Sequence, residues 1–192
     1  MDANEARELI ATAVPGPGGP WADIGAGRGT FTRALADLLG AGARIYAVDR
    51  DARALSRLEE WARDASAEVI PVRGDFNEPL TLPGLEAPGL EGMLLANALH
   101  FVPDADRVLS RLVEWVRPGG RVVIVEYDRR RPNPWVPHPI PAEAVGSVAT
   151  ASGLTGPTIT ARRPSAFGGT LYVAVAQRRS REPTPDHLGA AR

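Results

Sequence analysis

Trp21-Ala22-Asp23-Ile24-Gly25-Ala26-Gly27-Arg28-Gly29-Thr30 is the stretch on which the fold turns. A short apolar strand, Trp21 to Ile24, carries one acid and runs straight into glycines at alternate positions. A helical pattern begins at once, with Phe31, Leu35, Leu38 and Leu39 spaced along Thr30 to Leu39. Glycines permit positive φ angles and leave no Cβ between a ligand and the backbone. The helix behind them offers free N–H groups in its first turn.

Working outward, strand-like and helix-like segments alternate. Ala43 to Val48 is β-rich and Ala52 to Ala62 helical; Glu68 to Val72 and Gly92 to Ala96 are further strands. Asp104 to Val116 reads as a helix stopped by Pro118 and Gly119, and Arg121 to Val125 as a fifth strand. Alternation of this kind predicts parallel strands with crossover helices. Near-continuous apolar strands imply helices on both faces of the sheet. Right-handed crossovers then put all the strand C-termini on one edge, where open α/β folds bind ligands. Beyond Val125 the pattern changes. Arg129 to Pro141 is a proline- and arginine-rich loop, and Ala142 to Ala151 a short helix. Thr155 to Ala161 and Leu171 to Ala176 form a hairpin, so at least one strand runs antiparallel. The fold class expected is a Rossmann-like, doubly wound, mostly parallel α/β sheet with a C-terminal antiparallel hairpin strand. One domain spans residues 1–177, and the polar tail 178–192 is expected to be disordered.

A glycine loop alone is a weak motif, because dinucleotide enzymes use a related one and because a turn between strand and helix needs glycine anyway. Here the sixth position of G-x-G-x-x-G is Thr30, with Gly29 one place early. Asp23 stands directly before the glycines, where a carboxylate repels a pyrophosphate and suits an ammonium or sulfonium group. The run Asp23-Ile24-Gly25-Ala26-Gly27-Arg28-Gly29 resembles motif I of the class I S-adenosylmethionine-dependent methyltransferases. That resemblance implies contacts to S-adenosyl-L-methionine from Asp23, Gly25, Gly27 and Gly29.

Asp49 ends the strand Ile45 to Val48, 20 residues after Gly29. The place and spacing suit a carboxylate that accepts hydrogen bonds from ribose hydroxyls. Asp49 and Asp51 both precede a helix, so capping competes; we assign the ligand to Asp49 and the cap to Asp51. Val72-Arg73-Gly74-Asp75-Phe76 ends the third strand. The resemblance implies that Asp75 accepts from an adenine amino group and that the Phe76 backbone meets the ring edge. A turn closed by Asp75 on its own backbone is the plainer alternative. The resemblance also implies that Leu95-Ala96-Asn97-Ala98-Leu99-His100-Phe101 lines the methyl-transfer site, with Asn97 on the cofactor. Pro118-Gly119-Gly120 matches the family's turn before the fifth strand. The likeness runs from about Pro20 to Val125.

Methyl transfer from a sulfonium demands alignment and exclusion of water, plus a base only when the nucleophile must lose a proton. His100 is the candidate catalytic base, because histidine titrates near neutrality and follows the fourth strand. Packing is its competing role. Glu126, Tyr127 and Asp128 follow the fifth strand, and pairing with Arg129 to Arg131 is expected of them before substrate contact. Trp135 and His138 sit in the proline-rich loop and are candidates for a lid. The short N-terminal helix and small insertion after the fifth strand leave an acceptor pocket that is shallow, or completed by a second copy in a homo-oligomer.

Composition narrows the remainder. The chain has 192 residues, net charge −1, no cysteine, and arginine but no lysine. Thiolate metal sites and cysteine nucleophiles are excluded, and His100, His138 and His187 lack metal-ligand spacing. No run approaches a membrane span, no signal-peptide layout opens the chain, and a cytoplasmic location is expected. The near-neutral charge argues against nucleic acid as partner and leaves a small-molecule substrate. An NAD-dependent oxidoreductase shares Asp49 but lacks the sixth-position glycine and a Tyr-x-x-x-Lys pair. A non-catalytic, regulatory S-adenosylmethionine binder of the same fold is the further alternative.

Overall fold

The computed structural model describes residues 1–129, 131–165 and 169–180. Among them seven strands form one sheet: β1 (Pro20–Ile24), β2 (Arg44–Asp49), β3 (Glu68–Arg73), β4 (Leu90–Ala96), β5 (Val116–Tyr127), β6 (Thr158–Pro164) and β7 (Thr170–Gln177). Their spatial order is β3-β2-β1-β4-β5-β7-β6. The first five pair in parallel, while β7 is antiparallel to both β5 and β6. This is the expected doubly wound sheet with an antiparallel C-terminal hairpin.

Helices α1 (Ala3–Ile10), α2 (Thr30–Leu39), α3 (Ala52–Ala62), α4 (Ala105–Val113) and α5 (Val145–Ala151) cover it. Strand parity assigns the two faces. Trp21, Ile45, Leu94 and Val123 pack with Leu9, Ile10 and Leu35 of α1 and α2. Ala22, Tyr46, Met93 and Ile124, one residue out of step, pack with Leu109, Leu112 and Ala149 of α4 and α5. Both faces of the central strands are thus dry, which is why their sequences read as unbroken apolar runs.

The boundaries of α2 and α3 fall where helical spacing places them. Asp51 caps α3 by accepting from the N–H groups of Arg53 and Ala54. Strand β5 begins earlier than expected, at Val116, and α4 stops at Val113. The reason is a bulge: Leu90 faces Val116 and Gly92 faces Arg121, so the residues between loop out around Gly119, whose φ is +75°. Arg178, at the start of the expected tail, bridges to Leu154, and its guanidinium bonds the carbonyls of Glu114 and Val116. Residues 181–192, the rest of that tail, lie outside the described residues.

Candidate functional site

The strand C-termini are stitched into a rim. Gly25 and Ala26 N–H both donate to the Val48 carbonyl, Gly74 N–H to Asp49, and Asn97 N–H to Val125. The glycine loop rises from this rim, and Gly27 N–H donates to Asp49 Oδ2 at 2.7 Å. The other oxygen, Oδ1, accepts from Asp51 N–H at 2.8 Å. Asp49 is therefore held in one orientation, and each of its oxygens keeps a further lone pair.

A cavity of about 240 Å³ opens beside it, lined by Gly25, Asp49, Asp75, Phe76, Asn97 and Phe101 among others. A Cβ on Gly25 would sit 2.9 Å from the Ala98 Cβ, so only a bare backbone leaves this mouth open. Asp75 closes its own turn by accepting from Asn77 N–H, and its second oxygen lies 3.7 Å from Arg50. The plainer alternative for Asp75 is thus observed, with the residue still on the cavity wall. Arg111 of α4 fixes the loop by donating to the Phe76 carbonyl at 2.6 Å.

Three residues expected on the cofactor, Asp23, Gly27 and Gly29, are not in the lining of this cavity. Asp23 is 1% exposed and faces α2, where Thr32 Oγ1 donates to it at 2.6 Å. It shares the strand parity of Trp21, which aims the carboxyl behind the loop instead of into the cavity. Burial pushes its pKa up to about 7, against the Thr32 hydrogen bond and with help from the Asp49 charge. Gly27 and Gly29 also stand off the cavity lining. Gly29, with φ +81°, is there for packing: a Cβ would meet Leu58 Cδ1 at 2.3 Å.

A second cavity, of about 590 Å³, adjoins the first and shares Asn97 and Phe101 with it. His100, Tyr127, Arg129, Asn133, Trp135 and Val136 complete its wall. His100 sits in a 3₁₀ turn, Leu99–Phe101, directly after β4. Its Nδ1 is 2.6 Å from Glu126 Oε2, and its backbone N–H donates to Glu126 Oε1. Both side chains are buried. With Nδ1 hydrogen-bonded to a carboxylate, the neutral imidazole carries its proton there and its lone pair on Nε2.

Glu126 was expected to pair with Arg129 to Arg131. It pairs with His100 instead, and Asp128 bonds Arg162 at 2.6 Å. The signal for Glu126 lay in strand parity: it follows Val122 and Ile124 on the α4–α5 face, where an acid needs a buried partner. Trp135 does reach the second cavity, while His138 is exposed and joins the site only through its N–H bond to the His100 carbonyl. A pocket that is shallow, or completed by a second copy, was the expectation; the second cavity measures about 590 Å³. The segment around Asn133 folds over it, since Asn133 Oδ1 accepts from the N–H groups of Trp135 and Val136 and closes a tight turn. Arg129 had no signal in the sequence beyond its place in a basic run. Among the described residues no cluster of metal-ligating side chains occurs, and no helix is long and apolar enough to cross a membrane.

Comparison with known proteins bears on the family and the fold. A family model described as a methyltransferase domain matches residues 22–120. The chain is 34% identical over 116 residues to a protein-L-isoaspartate O-methyltransferase of Aeropyrum pernix, covering 60% of this chain and 42% of the relative. It is 37% identical over 75 residues to ribosomal RNA small subunit methyltransferase A of Caulobacter vibrioides, covering 39% and 28%. The chain thus spans less than half the length of these curated relatives. A Burkholderia thailandensis 1,6-didemethyltoxoflavin-N1-methyltransferase, solved with that compound and S-adenosylhomocysteine, superposes with a TM-score of 0.74 at 23% identity, over 93% of this chain and 78% of the other. A ribosomal RNA methyltransferase among the relatives means that net charge alone does not support excluding nucleic acid.

Proposed function

The chain belongs to the methyltransferase domain family, and from that premise we propose that it transfers a methyl group from S-adenosyl-L-methionine to a small-molecule acceptor. The observation that carries this reading is the pair of adjoining cavities. One is built from a glycine mouth and carboxylates, the other around a buried His–Glu pair, and Asn97 and Phe101 border both.

The first cavity suits the donor. Gly25 leaves backbone room, Asp49 keeps lone pairs for a vicinal diol, and Asp75, Phe76 and Asn97 supply the remaining wall. Bound there, the donor supplies a methyl group already activated by its sulfonium. Asp23, sealed behind the loop against Thr32, makes no contact with this cavity. The second cavity suits a compact acceptor, because its volume lies in the range of small-molecule sites and its wall is largely aromatic and aliphatic. His100 Nε2 accepts the proton of a hydroxyl or amine acceptor, and Glu126 steadies the imidazolium that results.

Isothermal titration with S-adenosylmethionine, S-adenosylhomocysteine and NAD tests the assignment. Micromolar-range binding of the first two and none of NAD is expected; binding of NAD alone would overturn it. An acceptor screen with radiolabelled donor then reads turnover. In that assay His100→Ala should slow the reaction by about 10² to 10⁴-fold while leaving S-adenosylhomocysteine affinity unchanged. Full activity in the variant would remove His100 as the base.

A further inference from the structure

The second cavity holds one charge that the protein leaves unanswered. Arg129 lines it next to Tyr127, and its Nε is buried with no hydrogen-bond partner. Among the described residues its guanidinium has no ion-pair partner. The neighbouring acids are engaged elsewhere: Glu126 on His100, Asp128 on Arg162 and on the Ala142 N–H. A guanidinium stripped of water on one edge and without a carboxylate is a costly arrangement, and a bound anion relieves it. The same cavity exposes apolar rings at its mouth, with Trp135 77% and Phe101 53% exposed.

We propose that the acceptor is a planar aromatic carboxylate. Its carboxylate pairs with the forked donors of Arg129, and its ring lies against Trp135 and Phe101. A carboxylate matches the guanidinium fork geometrically, and the aromatic wall matches a flat apolar body. Asn97 lines both cavities, and its buried Oδ1 also lacks a partner, so a hydroxyl or amine hydrogen at the acceptor's reacting end has an oxygen to donate to at the boundary. This assignment rests on the methyltransferase reading above, which makes the second cavity the acceptor's.

The test uses 6-hydroxy-2-naphthoate and its neutral methyl ester, titrated into the full chain saturated with S-adenosylhomocysteine and followed by naphthyl fluorescence. The acid should bind about tenfold or more tighter than the ester. Arg129→Gln should abolish that preference and leave ester affinity within about twofold. Equal binding of acid and ester by the wild type, binding of neither, or a preference that survives in Arg129→Gln would each overturn the proposal. The parallel titration of S-adenosylhomocysteine separates the two layers. Donor-product binding without acid preference sinks the carboxylate assignment alone, whereas failure to bind the donor product sinks the reading beneath it.

Discussion

Asp23 is a carboxyl group sealed from water directly beneath the glycine loop. Its pKa of about 7 in the fold, against an ordinary 3.8, means that the folded state prefers the protonated form. The sign follows: this group's contribution to stability is complete below its unfolded pKa and is lost as pH rises through about 7. The thermal midpoint of the ligand-free wild type should therefore fall between about pH 5 and about pH 8, and Asp23→Asn should flatten that slope. An equally steep slope in the variant would move the effect to another residue. Gly29→Ala forces a Cβ against Leu58 at a backbone angle that side chains avoid. It should cost about 1–3 kcal/mol in urea denaturation. Glu126→Gln removes the charge facing His100 while keeping its shape. Acceptor turnover should fall about tenfold or more with KM and donor affinity nearly unchanged, a split that loss of packing alone would not give.

Among the elements, the loop between β5 and α5 matters most to the acceptor cavity. It is pinned at one end by the Tyr172 hydroxyl, which donates to the Ile140 carbonyl at 2.8 Å from inside the core. Burial raises the Tyr172 pKa, so this donor keeps its proton across the working range. Tyr172→Phe should loosen the loop, cost about 1 kcal/mol of stability and raise the acceptor KM, with no change in S-adenosylhomocysteine affinity by calorimetry. The elements were also unequally legible in sequence. Helices α2 and α3 were readable to the residue, because apolar spacing sets both and the Asp51 cap marks the start of α3. The N-terminal part of β5 was not, because Pro118-Gly119-Gly120 has the chemistry of a turn and only its neighbours β4 and Arg178 convert it into a bulge. The candidate site divides the same way. Asp49 and His100 are announced by their positions at strand ends. The rearward aim of Asp23, the partner of Glu126 and the isolation of Arg129 depend on which residues from distant strands and loops arrive beside them.

At the scale of the whole molecule, the two ends of the sheet's covering are tied by charge. Arg163 on edge strand β6 bonds Glu5 of α1, so the first helix and the hairpin brace one another across 158 positions of sequence. Such exposed pairs add little energy individually, and the central sheet carries the fold. Asn97 has a larger consequence. This residue, at φ +53°, lines both chambers, and Phe101 shares that partition with it. A compound that straddles the partition, adenosine on one side tethered briefly to a flat acid on the other, would lose the freedom of one molecule in place of two. Such a two-headed inhibitor should outcompete a mixture of its halves by far more than either half's own affinity. The length of tether that works best would measure, in solution, the span a methyl group must cross.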